Sequence, residues 1–219
     1  MKTSLLAALL LGAVAVARAA DPAPTSALSK VEGKIALLNG RDLTGWTMFL
    51  KEPADKATLW SFADSVLHLA GKPNGYIRTE KTFSNYHLHV EWRWPADANP
   101  KSNSGVFVHV HGADAIWPGG VECQLAAGNA GQLIGTDVVM PGVAVTNNKP
   151  RAARLAASSE KPFGEWNTYE IFCRGDAIEV SVNGVKQNHV ERISVTSGAV
   201  ALQMEGYPVE FRNVWLEKL

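Results

Sequence analysis

The chain has 219 residues, with 21 basic and 21 acidic side chains and no formal net charge. That balance, without a basic stripe or arginine-rich run, excludes a nucleic-acid partner held through its phosphates. The length suffices for one sizeable core, and neither an internal repeat nor a second domain boundary interrupts the sequence.

In chain order, Lys2 precedes an uncharged apolar run from Leu5 to Val16 and the small residues Ala17-Arg18-Ala19. This is the layout of a secretory signal peptide. The run is short for a membrane span, and no cysteine follows it to carry a lipid anchor. Residues 1–20 are therefore expected to be a signal peptide and 21–34 a flexible leader, with the folded domain over 35–219. Periplasmic or secreted localisation follows, with no stable membrane insertion after cleavage.

Strand signals dominate what comes next. Short alternating or β-branched runs are bounded by Gly, Asn, Asp and Pro. They predict strands at Leu59–Phe62, Val66–Leu69, Tyr76–Arg78, His87–Trp94, Val106–Val110, Val121–Leu125, Thr168–Arg174, Ile178–Val182, Ala199–Met204 and Val209–Leu216. Gln132–Met140 reads as one strand of a hairpin, Pro141–Pro162 as a rim loop, and Arg151–Ser158 as a short helix between Pro150 and Pro162. Asn183-Gly184 has the chemistry of a tight hairpin turn. Val209 and Phe211 share a phase that Val214 and Leu216 break, which predicts a bulge at Arg212-Asn213. Many short strands with turns between them imply an all-β, single-domain sandwich or barrel.

Alternation separates two faces of each strand. Leu88, Val90, Trp92 and Trp94 oppose His87, His89, Glu91 and Arg93. Val106, Val108 and Val110 oppose Phe107, His109 and His111. Val121, Cys123 and Leu125 oppose Glu122 and Gln124, and Val200, Leu202 and Met204 oppose Gln203 and Glu205. The second set is rich in carboxylates, amides and imidazoles, unlike an ordinary solvated face. Were these strands neighbours, their polar faces would pool into one groove suited to a sugar. Trp46, Trp60, Trp92 and Trp166 are expected in the core, and Trp117, beside Pro118-Gly119-Gly120, at the rim. Cys123 and Cys173 both fall in core phases, compatible with a disulfide in an oxidising compartment and equally with two buried thiols.

Several segments together carry a family resemblance. Leu37–Trp46 (LLNGRDLTGW) and Asn85–Arg93 (NYHLHVEWR) come first, then Asn103-Ser104-Gly105-Val106-Phe107 and Glu122-Cys123-Gln124-Leu125. Gly164-Glu165-Trp166-Asn167, Asn183-Gly184, Leu202–Gly206 (LQMEG) and Val209–Val214 (VEFRNV) complete the order. In that order they resemble the 3-keto-disaccharide hydrolase family from about Leu37 to the C-terminus. The resemblance implies a concanavalin A-like jelly-roll β-sandwich of two antiparallel sheets. It also implies a carbohydrate-active hydrolase or lyase acting on 3-keto-glycosides. A non-catalytic carbohydrate-binding module on the same sandwich is the alternative, since fold alone does not decide function.

A ketone at C3 acidifies the C2 proton, so such an enzyme needs a base, an oxyanion stabiliser and an acid for the leaving group. Glu122 is the candidate base, with His109 as its rival and Glu91 as the acid or an orienting group. Arg93 or Arg212 would face the negative oxygen. Gln124, Gln203, Asn103, Trp117 and Glu205 would contact the small-molecule sugar. A divalent metal is an alternative electrophile, with His87, His89, His109 and His111 as available ligands. Their spacing matches no tight metal motif, and no other cofactor is implied.

Overall fold

The computed structural model describes residues 33–219. The expected signal peptide lies outside the described residues, as does all but the end of the expected leader. Among the described residues no helix is long and apolar enough to cross a membrane.

The strands are β1 (Lys34–Ala36), β2 (Trp46–Leu50), β3 (Trp60–Ala63), β4 (Val66–Leu69), β5 (Gly75–Thr79), β6 (Tyr86–Arg93), β7 (Gly105–His111) and β8 (Gly119–Gln124). There follow β9 (Leu133–Thr136), β10 (Val145–Thr146), β11 (Lys149–Ala152), β12 (Asn167–Arg174), β13 (Ala177–Val182), β14 (Val185–Val190), β15 (Ala199–Met204) and β16 (Val209–Lys218). One sheet runs β14-β13-β12-β6-β16-β4-β3, with β1 also on β16. The other runs β10-β11-β9-β8-β7-β15-β5-β2. Every strand pairing is antiparallel. The chain is thus the expected jelly-roll sandwich.

The core lies between the sheets. Leu88, Val90 and Trp92 of β6 and Phe211 and Leu216 of β16 meet Val106 and Val108 of β7, Val121 of β8 and Leu202 of β15. Each such buried side chain contributes about 1.5–3 kcal/mol relative to exposure. Cys123 and Cys173 are both buried in this core as free thiols. The break in phase along β16 is absorbed as expected. Its register on β6 shifts between Arg212 and Trp215, and Asn213 takes φ +48°. Val209, Phe211, Val214 and Leu216 can then all face inward. Asn183 (φ +49°) and Gly184 (φ +80°) form the two-residue turn between β13 and β14.

Three local expectations need correction. No helix forms at Arg151–Ser158, because Arg151 and Ala152 pair with Ile134 and Leu133 as part of β11. Asn147 and Asn148 both adopt positive φ (+52° and +59°) and fold β10 back onto β11. Two short asparagines tolerate the left-handed conformation that such a turn requires. The strand expected over Gln132–Met140 is only Leu133–Thr136. β14 was invisible to alternation because Gln187 and Asn188 are both buried. Their amides instead hold the carbonyls of Ala157, Gly131, Ala152 and Ala153.

Candidate active site

Burial shows which sheet has a sheltered outer face. β6 and β13 alternate between buried and half-exposed residues, as a sheet with one wet face must. By contrast, β8 and β15 are buried at every position, and β7 at every position but its last. The outer face of their sheet is therefore sheltered although it points away from the core.

Pairing register lays out that face. Thr47, Arg78, Ala201, Phe107, Glu122, Ile134 and Arg151 are successive partners across six strand pairs. One step along, Phe49 pairs with Tyr76 and Tyr76 with Gln203, while Gln124 pairs with Gly105. Phe107, Tyr76, Val110, Ala199 and Ala201 form an apolar cluster at one end. Glu122, Gln124 and Gln203 form the polar floor beside it. Gly105 leaves room there: a Cβ would lie 2.8 Å from Glu122 Oε1 and 2.9 Å from its Cγ.

Two loops close the sides. The segment Gly112–Pro118, between β7 and β8, brings Trp117. The β10–β11 hairpin brings Lys149 and Arg151, and the Lys149 Nζ stands 5.0 Å from the centre of the Trp117 ring. Glu205, just past the end of β15, completes the wall.

Glu122 is 5% exposed. Burial, reinforced by the nearby Glu205 carboxylate, pushes its pKa up to about 8 against the opposing charges of Lys149 and Arg151. Burial also raises Glu205, although hydrogen bonds with Gln203 and Trp117 and the Lys149 charge oppose it. Burial depresses the Lys149 ammonium. Gln203 Oε1, Asn103 Oδ1 and Arg151 Nε are buried without hydrogen-bond partners. Unsatisfied polar atoms of this kind are uncommon and mark where a ligand or water belongs. Gln124 differs, for its Oε1 accepts the backbone N–H groups of Leu125 and Ala126 and so shapes the strand end.

His109, the rival base, is elsewhere. The register of β7 shifts between Val108 and His111 on β8, and between Ala199 and Ala201 on β15. With φ +56° at this bulge, His109 turns into the sandwich, its ring edge-on to Tyr86 at 5.9 Å. Its Nδ1 bonds the Val195 carbonyl, and burial depresses its pKa. Val110 takes the outward position instead. One inserted residue reverses the side-chain phase, so uninterrupted alternation misassigned His109.

Glu91, Arg93 and Arg212 are also withdrawn from the site. They lie on β6 and β16, on the outer face of the opposite sheet. There Arg212 Nε donates to Glu91 at 2.6 Å, Asn213 donates to the same carboxylate at 2.8 Å, and Arg93 bonds Glu210. Trp166, expected in the core, is half-buried beneath both guanidiniums, 4.5 Å from Arg93 and 4.1 Å from Arg212. His87 and His89 are both bound to Glu170. Burial alone would depress His89, but its hydrogen bond to Glu170 and the carboxylate charges of Glu170 and Glu91, the latter 3.7 Å away, win and carry it to about 9. Among the described residues no three His, Cys, Asp or Glu side chains converge as metal ligands.

This network is structural, which yields a prediction. Burial would raise the Glu91 pKa, yet the nearby His89 and the hydrogen bonds from Asn213 and Arg212 hold it at about 2. Its contribution is therefore present above the usual carboxylate range and lost as pH falls toward 2. Glu91→Gln is expected to cost about 1–3 kcal/mol near neutrality, with kcat unchanged. Denaturant unfolding at neutral and acid pH, together with steady-state kinetics, checks both.

The residues missed from sequence are Lys149 and Arg151. The signal was Asn147-Asn148, a turn dipeptide followed by two cations at alternate positions, which defines a hairpin with both cations on one face.

Comparison with known proteins places this geometry. The family model of the 3-keto-alpha-glucoside-1,2-lyase-like domain matches residues 33–217. Among solved structures, a Parabacteroides distasonis protein provisionally named a glycosyl hydrolase superposes with TM-score 0.64 at 24% identity, over 87% of this chain and 95% of that one. The Bacillus licheniformis beta-glucanase gives TM-score 0.58 at 14% identity, over 87% and 100%. The carbohydrate-binding module CBM66 from Bacillus subtilis gives 0.58 at 11%, over 80% and 96%. A search of curated proteins finds no match.

Proposed function

Because the chain belongs to the 3-keto-alpha-glucoside-1,2-lyase-like family, we propose that it cleaves 3-keto-glycosides in the hollow around Glu122, by base-catalysed elimination. One observation carries the reading. A buried carboxylate, poised near pH 8, faces two cations in a sheltered site with unpaired polar atoms.

The Glu122 carboxylate takes the proton from C2 of the oxidised sugar. The C–H electron pair forms the C2=C3 bond, and the negative charge passes to the C3 oxygen, where Arg151 and Lys149 stabilise it. That charge then returns to regenerate the ketone while the C1–O bond breaks. The leaving oxygen takes a proton, for which Glu205, kept protonated more readily by burial, is the candidate donor. The resulting enone has C1=C2, and water adding at C1, with a proton returning to C2, completes hydrolysis. Gln203 Oε1 and Asn103 Oδ1 accept hydrogen bonds from sugar hydroxyls. Trp117 offers a face to the ring's C–H groups.

A base must act deprotonated. On this reading kcat/KM climbs about tenfold per pH unit from the acid side as Glu122 loses its proton, and falls again on the alkaline side where Glu205 loses the proton it must donate. Substrate deuterated at C2 shows a primary isotope effect, and the unoxidised parent glycoside is not cleaved. Cleavage of the parent at a comparable rate, or no isotope effect below saturation, rejects the elimination. Saturable sugar binding without turnover of any 3-keto-glycoside assigns the chain instead as a binding module.

A further inference from the structure

The rim loop Gly112–Pro118 is pinned at its middle. Asp114 accepts a hydrogen bond from the Tyr76 hydroxyl at 2.7 Å and another from Arg78 Nε at 2.9 Å. Tyr76 and Arg78 are two residues apart on β5 and so project from the same, outer face. Tyr76 is fully buried, and Phe49 stacks on it with ring centres 5.3 Å apart and planes inclined 29°. Its hydroxyl therefore has little freedom to follow a moving loop.

The charges suit a permanent clamp. Burial, with the Asp114 bond adding to it, raises the Tyr76 pKa, so the phenol keeps its proton and donates. The Arg78 hydrogen bond holds Asp114 below the usual carboxylate range. Three residues beyond Asp114 stands Trp117, 44% exposed, with Lys149 over its ring and Glu205 beside it. Three residues span at most about 10 Å, so fixing Asp114 confines the indole closely.

We propose that Tyr76, Asp114 and Arg78 form a positioning clamp that holds Trp117 as the platform for the leaving-group sugar. This rests on reading the hollow as a glycoside site: Trp117 adjoins Glu205, the donor to the departing oxygen, and so lies on the leaving-group side. Recognition of that sugar then depends on β5 through Trp117, on the far side of β15 and β7 from Glu122.

The test labels the whole protein with fluorotryptophan and assigns the Trp117 resonance with Trp117→Phe. Tyr76→Phe keeps the ring stack and removes only the hydroxyl, while Asp114→Ala removes the acceptor. In both, the Trp117 fluorine signal is expected to shift or broaden, with the other tryptophan signals retained as evidence of folding. KM for a 3-keto-disaccharide is expected to rise roughly tenfold with kcat nearly unchanged. Asp114→Ala placed on Trp117→Ala adds nothing further, because the clamp acts through the indole. An unmoved Trp117 signal overturns the clamp, and additive effects on KM overturn its action through Trp117. Absence of wild-type turnover defeats the glycoside reading separately, and with it the role in leaving-group recognition, while the fluorine signal still decides whether the clamp holds the indole.

Discussion

Glu122→Gln is expected to lower kcat/KM by about 1000-fold, the scale of a lost general base, while leaving sugar binding largely intact. Glutamine keeps the shape and a carbonyl acceptor but cannot take a proton. The same variant carries a stability signature that no bystander residue would show. The folded-state pKa of Glu122 is raised to about 8 from an ordinary 4.5, chiefly by burial. The fold therefore prefers the protonated form. Below the ordinary value this costs nothing; the penalty accumulates as pH rises between the two and is complete above about 8. Removing it should stabilise the variant over wild type at pH 9 by on the order of 3–5 kcal/mol, with no gain near pH 4. Thermal unfolding across that pH range, beside initial rates, checks the pair. Full activity in the variant ends the assignment of Glu122, and equal stability at all pH values ends the account of its burial.

Gly105→Ala is expected to lower activity by about 100-fold without unfolding the protein. The added methyl would stand 2.8 Å from Glu122 Oε1 and 2.9 Å from Cγ, so the carboxylate must move. Residue 105 does not have positive φ, unlike Gly120 or Gly198 nearby, so alanine strains no backbone there. What changes is the aim of the base, and displacement of a reacting group by about 1 Å can cost about 100-fold. Wild-type unfolding behaviour with depressed kcat is the expected pattern, read by circular dichroism and steady-state kinetics. Unaltered kcat would mean that the carboxylate shifts without losing its reach, or that it is not the base.

The candidate site was partly legible beforehand. Glu122, Gln124, Gln203 and Glu205 stood out because they occupy the polar phase of strands whose other phase is wholly apolar, and β8 and β15 meet the hollow together through β7. The same reasoning failed for Glu91, Arg93 and Arg212. Their strand obeys the same alternation, but β6 pairs with β12 and β16 in the other sheet. Alternation says which side chains share a face of a strand; it does not say which strands are neighbours.

Period-two patterning and turn chemistry act within a few residues, so β3 to β8, β12, β13, β15 and β16, the Asn183-Gly184 turn, the bulge at Asn213 and the all-β class were legible in the sequence alone, while the jelly-roll followed from the family resemblance of its motifs. Tertiary structure decided the rest. It assigned strands to sheets, inverted His109 through a bulge, and folded the Asn147-Asn148 hairpin so that Lys149 and Arg151 reach a carboxylate more than twenty residues away in the chain. The physical reason is that side-chain direction is local, whereas shelter from water and the meeting of charges depend on contacts between distant segments. The proposed chemistry requires Glu122 to sit in that shelter with its cations opposite, and a fully active protein lacking its carboxylate would leave the assignment without support.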